Sequence, residues 1–234
     1  MRFTPSNVGT GFFNTEGGFP DSFSALLPHF ERTVARIDRF PEKIQERVVA
    51  HVATSALYLI DDPFADGWLP RMCEHLSGEN LTRLAIGIDR LLDDSDIVRC
   101  EAAWDRWLLS YWNFRRLGTP RPLSHEEADA MACWSLSVGK YFPKAAEMTK
   151  STPIAAAFRH TAFLYRLKKK KLANSYPQQV AELVVFCLKS ARGGLFVGSH
   201  LIDLWNALRS AEISESVLNE IRSEALRHGI DLGN

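Results

Sequence analysis

Apolar residues recur every three to four positions along most of the chain, the spacing that places them on one face of an α-helix. The clearest stripe is formed by Trp104, Trp107, Leu108, Tyr111 and Trp112. Runs of alternating β-branched residues, which would indicate strands, are missing from the sequence. The hydrophobic pattern therefore predicts an all-α protein.

Helix boundaries are marked by proline, serine and glycine. Ser124 and Glu127 form a capping box, in which each side chain can satisfy a backbone N–H of the first helical turn. Gly118 and Gly229 fit helix C-termini. Further helices are predicted to begin at Pro41, Pro143, Pro153 and Pro177.

The short connections between these helices predict antiparallel helical hairpins. We expect the hairpins to stack as an irregular HEAT-like solenoid, and the alternative is a compact helical bundle, because no fixed repeat period emerges. Residues 1–20 are rich in glycine and show neither a helical nor a strand period, so they are predicted to form an irregular N-terminal arm. Residues 21–234 are predicted to form a single α-helical domain.

Charge and cysteine content narrow the class of protein. Lys and Arg total 28 and Asp and Glu total 28, so no global field attracts nucleic acid or an anionic membrane. The four cysteines are far apart in sequence, which predicts buried thiols in a reducing compartment. No apolar run reaches the roughly 18 residues of a membrane span, so we expect a cytoplasmic protein that does not cross a membrane.

Aromatic residues are the first candidates for binding a partner, because aromatic side chains dominate interface energetics. We expect a protein partner to use whichever members of the tryptophan set are exposed, or the aromatic pair in the N-terminal arm. The residues are Trp104, Trp107, Trp112, Trp134, Phe12 and Phe13. An aromatic stripe at helical spacing is more often part of a core than of a ligand cage.

The segment 104–153 adds a resemblance to this pattern. Its residues include Trp107, Trp112, Arg115-Arg116-Leu117-Gly118-Thr119-Pro120, Trp134 and Phe142-Pro143-Lys144-Ala145. The segment resembles the C-terminal helical region of large prokaryotic defence proteins that carry a sirtuin-like NAD-consuming domain. That resemblance implies a sensing or scaffolding role, with an effector domain fused to the chain or acting beside it. It carries over no catalytic residue, because the sequence has no glycine-rich NAD-binding unit.

A basic run supplies an alternative function. The cations Arg159, Lys168, Lys169, Lys170 and Lys171 lie near aromatic residues on one predicted helix. Such a helix could bind a nucleic-acid backbone by counterion release and base stacking. Cations in the last turn of a helix also complement its dipole, which is the ordinary structural role.

Two acidic clusters supply another alternative, a small Mg²⁺-dependent diphosphate enzyme. They are Asp61-Asp62-Pro63-Phe64-Ala65-Asp66 and Asp93-Asp94-Ser95-Asp96. Carboxylates at a helix end can hold Mg²⁺ against a diphosphate, but Asp at a helix junction more often caps a helix or makes a turn. The histidine and cysteine spacings predict no metal site, and no cofactor motif is present.

These observations favour a non-catalytic α-helical interaction or scaffold module of a larger prokaryotic assembly, with a role in anti-phage defence implied by the resemblance. Nucleic-acid binding and the diphosphate enzyme are the alternatives.

Overall fold

The computed structural model describes residues 23–58, 68–117, 121–151, 160–191 and 198–233. Within these ranges the chain is helical and contains no strand. The helices are α1 (Phe23–Val34), α2 (Glu42–Tyr58), α3 (Trp68–His75), α4 (Gly78–Asp94), α5 (Ile97–Ala103), α6 (Leu109–Arg115), α7 (His125–Trp134), α8 (Phe142–Ser151), α9 (His160–Lys169), α10 (Pro177–Ser190), α11 (Gly198–Arg209) and α12 (Glu215–Arg227). The predicted all-α class is confirmed for this part of the chain.

The chain divides into two compact units, Met1–Pro122 and Leu123–Asn234. In the first unit, α2 packs chiefly against α4. A Cβ atom added at Gly87 of α4 would lie 3.2 Å from the Cβ of Ala53 on α2, so the glycine permits this close approach. The guanidinium of Arg83 on α4 also contacts the carboxylate of Glu42 on α2, with 2.6 Å between Nη2 and Oε1.

The aromatic stripe lies on one long helix that runs from α5 through residues Trp104–Leu108 into α6. The middle segment is π-helical, and the N–H of Leu109 donates to the carbonyl of Trp104, five residues earlier. The N-cap of this helix is Asp96, whose side chain accepts a hydrogen bond from the N–H of Arg99 at 2.8 Å. Inserted π turns of this kind are uncommon, and sequence periodicity does not reveal them.

A buried arginine fixes the end of the first unit. The side chain of Arg115 is fully buried, and its Nη1 donates to the carbonyl of Arg121 at 2.9 Å. Nε of Arg121 in turn donates to the carbonyl of Leu76, immediately after α3, at 3.1 Å. Arg115 therefore satisfies a carbonyl in the connection before α7, and Arg121 satisfies one directly after the end of α3, where carbonyl groups lack partners within the helix.

The second unit is built around an apolar core that draws on α7 to α12. The most extensive contacts join helices two apart in the chain, α9 with α11 and α10 with α12. Ser124 caps α7 by accepting from the N–H of Glu127 at 3.0 Å, and Pro177 is the first residue of α10. These two helix starts confirm the boundaries that the sequence predicts.

Other predictions lie beyond what the structure describes. The irregular arm at residues 1–20 and the helix start at Pro153 fall outside the described residues. The single domain over residues 21–234 stays a prediction, because the compactness of each unit does not decide whether the units fold separately. Across the ranges given above, no helix combines the length and apolar character needed to cross a bilayer.

Candidate functional site

The four tryptophans predicted to anchor a partner are core residues. At most 1% of the surface of Trp104, Trp107, Trp112 or Trp134 is exposed. In the first unit the rings pack on other aromatic residues, and Trp107 meets Trp68 edge to face with 5.8 Å between centroids. None of the four tryptophans is exposed. The prediction that exposed tryptophans contact a partner therefore applies to none of them. Phe12 and Phe13 lie outside the described residues.

The predicted basic run lies at the C-terminal end of α9. Lys168, Lys169 and Lys171 are exposed and Lys170 is partly buried. Lys171 has φ = 52°, the left-handed conformation that ends the helix. Nζ of Lys168 forms an ion pair with the carboxylate of Asp203 on α11, so the run is not a row of four unpaired cations. Arg159 lies outside the described residues.

An exposed aromatic residue stands one turn before these lysines. Tyr165 is 48% exposed, and it lies three and four positions before Lys168 and Lys169, so all three share a face of α9. Its ring meets that of His200 on α11, with 5.3 Å between centroids. A helical period through Ala162 and Tyr165 suggests an apolar face there, but both residues are exposed, and the buried residues of α9 are Phe163, Leu164 and Leu167.

Helix α11 completes a mixed surface beside α9. Ile202 is 42% exposed, and Nδ1 of His200 is buried without a hydrogen-bond partner. We call Tyr165, Lys168, Lys169, His200 and Ile202 the α9–α11 surface. It combines an aromatic ring, an aliphatic side chain and two cations. The sequence could not bring these residues together, because they lie on two helices, α9 (His160–Lys169) and α11 (Gly198–Arg209), that are far apart in the chain.

Helices α9 and α11 are both anchored in the apolar core of the second unit. Leu164 and Leu167 on α9, and Leu201 and Leu204 on α11, are at most 2% exposed and belong to the same apolar core. Side chains on helices that are anchored by a packed core lose less conformational freedom on binding than side chains on loops. The α9–α11 surface is therefore a preformed patch.

The second acidic cluster forms a helix junction. Asp96 caps α5, and the hydroxyl of Ser95 donates to the carbonyl of Leu91 at 2.6 Å. Among the residues with described positions, no three His, Cys, Asp or Glu side chains converge as metal ligands. The first cluster, residues 61–66, lies outside the described residues, so the diphosphate enzyme stays an untested prediction.

The thiols are placed as the sequence predicts, since Cys73, Cys100, Cys133 and Cys187 are all buried. Burial raises the pKa of the Cys187 thiol well above its ordinary value, and the neighbouring Cys133 adds to that shift. A thiolate is the reactive form of cysteine. Cys187 is therefore unsuited to act as a nucleophile.

One family profile matches the chain, described as "Domain of unknown function (DUF4020)", over residues 68–225. The match runs from the start of α3 into α12 and includes the whole α9–α11 surface. No curated protein and no solved structure matches the chain.

Proposed function

The chain belongs to the DUF4020 family, and from that premise we propose that it is a non-catalytic α-helical interaction module that binds a protein partner through the α9–α11 surface. The observation that carries the proposal is the exposed ring of Tyr165, which lies one turn before Lys168 and Lys169 on α9 and packs on His200 of α11.

The distribution of aromatic residues supports this proposal. All six tryptophans are at most 1% exposed, whereas Tyr165 is 48% exposed. Tyrosine suits an interface where one end of the side chain contacts apolar groups and the other contacts water, because its ring is apolar and its hydroxyl forms hydrogen bonds. Aromatic anchors of this kind contribute a large share of the binding energy at protein interfaces. Tyr165 thus takes the role that the sequence gives to the tryptophans.

The charges suggest what the partner presents. Lys168 already pairs with Asp203, which shows that this position accommodates a carboxylate. Lys169 lies next to it on the exposed side of α9. We infer that the partner offers a segment with an apolar side chain for Tyr165 and Ile202, and with acidic residues for the lysines.

The test is site-specific photocrosslinking in the native host. A photoreactive phenylalanine analogue replaces Tyr165, and a matched control places it at Leu226, an exposed apolar position on α12. We expect one protein to be captured at position 165 and not at position 226, and its capture to fall at least tenfold when Lys169→Glu is added. Equal capture at both positions, or capture that Lys169→Glu leaves unchanged, would contradict the proposal.

Nucleic-acid binding is the second candidate, and the shared face of Tyr165 and the lysines favours it. A base could stack on the tyrosine while the lysines neutralise phosphates. Fluorescence anisotropy with labelled single-stranded DNA and RNA tests this idea. If it holds, Lys169→Gln and Lys171→Gln together flatten the dependence of log affinity on log salt concentration. No binding at about 50 mM salt removes this candidate.

For the architecture, we propose antiparallel hairpins stacked as in HEAT-like solenoids. The pairing of α9 with α11 and of α10 with α12 supports this, because in a stacked array each helix packs against its counterpart in the next hairpin. An experimental structure in which the α9–α10 hairpin superposes on the α11–α12 hairpin by one rotation and translation would agree. A bundle in which these helices share one axis would contradict it.

For the biological setting, we propose a sensing or scaffolding part of a prokaryotic defence assembly that acts in the cytoplasm. The support is the resemblance of segment 104–153 to the helical region of sirtuin-bearing defence proteins. A phage-plating assay with the native gene and the Tyr165→Ala variant tests the proposal. Equal plating efficiency with the native gene and with an empty vector would count against it.

A further inference from the structure

A cavity in the first unit is lined by α1 and by the end of α3. Its volume is about 500 Å³, within the range of roughly 300–1,000 Å³ that is typical of small-molecule sites. Helix α1 and the residue after it line the cavity with side chains three and four positions apart, and α3 adds its last residue. The lining residues are Pro28, Glu31, Arg32, Ala35 and His75. The lining therefore combines apolar groups, charges of both signs and an imidazole.

An ion pair connects the two helices that line this cavity. Nε and Nη2 of Arg71 on α3 both donate to Oε1 of Glu31 on α1, each at 3.2 Å. The rings of Phe30 on α1 and Trp68 on α3 also pack together, with 6.2 Å between their centroids. These contacts hold the two helices together. They also compensate the charge of Glu31, the carboxylate of the lining.

Arg32 is the cation of the lining, and its described partners are uncharged. Its Nε donates to the carbonyl of Pro28 at 3.1 Å, and its Nη2 donates to Nδ1 of His29 at 3.2 Å. Among the residues that the structure describes, no carboxylate lies within ion-pair distance of this guanidinium. The two hydrogen bonds orient the planar group, and the N–H donors of Nη1 stay available to a ligand.

We propose that this cavity binds a small organic monocarboxylate, with the carboxylate on Arg32 and the organic part against Pro28 and Ala35. A guanidinium binds a carboxylate through charge-assisted hydrogen bonds. One uncompensated cation matches one negative charge, whereas the near-dianionic charge of a phosphate monoester would be only half neutralised. Pro28 and Ala35 are exposed, so their apolar surface is available to the ligand. The site uses residues of the first unit only, so this proposal and the proposed function can fail independently.

Ligand binding to the folded state raises the thermal midpoint of unfolding, which can be measured on the full chain. Butyrate and phenylacetate are the probes, and their amides are the uncharged counterparts. Inorganic phosphate and sodium chloride are compared with them at equal ionic strength. We expect the midpoint to rise with the two carboxylates only. An equal rise with the amides would overturn the role of the charge, and an equal rise with phosphate would overturn the assignment to a carboxylate.

Two variants connect the response to the cavity. Arg32→Gln removes the cation, and Ala35→Phe fills the space beside it, and folding should be little affected because both positions are exposed. The matched controls are Arg47→Gln and Ala50→Phe, at exposed positions of α2 that do not line the cavity. We expect the affinity for phenylacetate to fall at least about tenfold in the first two variants and to stay unchanged in the controls. The absence of a carboxylate response in the native chain, or equal responses in variants and controls, would overturn the proposal.

Discussion

Replacing Asn80 with alanine removes a buried polar link between α2 and α4. The Asn80 side chain is fully buried, and its Nδ2 donates to Oε1 of Gln45 at 2.8 Å. Nε2 of Gln45 donates to the carbonyl of Phe40 at 2.9 Å, so the Gln45 amide is held from both sides. In Asn80→Ala the oxygen of Gln45 loses its donor at a site where solvent has little access.

The cost of leaving one buried partner unsatisfied is about 1–3 kcal/mol. Alanine has a higher helix propensity than asparagine, and this difference offsets about 0.5 kcal/mol of that cost. We therefore expect Asn80→Ala to lower the free energy of unfolding by about 1.5 kcal/mol, which for a chain of this length lowers the thermal midpoint by about 3–6 °C.

Urea unfolding followed by the helical circular dichroism signal measures this change. The matched control is Asn113→Ala on α6, an exposed asparagine that gains the same helix propensity without breaking a buried contact. A double-mutant cycle of Asn80→Ala with Gln45→Ala should show a coupling energy of about 0.5–3 kcal/mol. Equal effects at positions 80 and 113, or additive effects at positions 80 and 45, would refute the reasoning.

Three further predictions concern pH, thiols and helix packing. Hydrogen bonds from Lys150 and Gln178 hold the pKa of Glu182 below its ordinary value, so this group stabilises the fold at neutral pH, and the stabilisation is lost as pH falls through the ordinary value towards the folded one. Glu182→Gln should therefore lower the urea midpoint at pH 7, and this effect should shrink as the pH falls below the ordinary pKa of glutamate. Cys187 should react with a thiol reagent only after unfolding, because its pKa is raised by burial. Gly87→Ala should gain less than the ~1 kcal/mol expected from helix propensity, because the new methyl group presses on α2.

Each of these predictions has its own control. Glu74→Gln, at an exposed position on α3, should leave the pH dependence of the urea midpoint unchanged. Rapid labelling of more than one thiol in the native protein would contradict the burial of the cysteines. A gain of a full 1 kcal/mol in Gly87→Ala would show that α2 and α4 can separate without cost, against the 3.2 Å contact at Ala53.

The helix boundaries could be predicted because their causes are local. Ser124 accepts from a backbone N–H three residues ahead, and Pro177 needs only its own fixed φ angle to begin α10. Gly229 follows α12 with φ = 75°, a conformation that glycine adopts readily because it has no Cβ atom. Each of these signals lies within a few residues of the boundary that it marks.

The buried face of α9 could not be predicted in the same way. Tyr165 and Phe163 both carry large rings, and periodicity alone does not decide which ring faces inward. The packing of α9 against α11 selects Phe163, Leu164 and Leu167 for the core and leaves Tyr165 outside. The choice depends on α11, which begins about 30 residues later in the sequence. The hydrophobic pattern of α9 alone therefore could not predict which residues form the candidate surface.

Helix α11 supports the α9–α11 surface, because it carries His200, whose ring packs on that of Tyr165, and Ile202 near its start. Its position depends on core residues such as Leu204, which is 2% exposed. Leu204→Ala should cost about 2–5 kcal/mol of stability and, by loosening α11, weaken crosslinking at position 165. If Leu204→Ala lowers the urea midpoint as expected and leaves crosslinking at position 165 intact, the α9–α11 surface does not depend on the placement of α11, and the geometric basis of the proposed function fails.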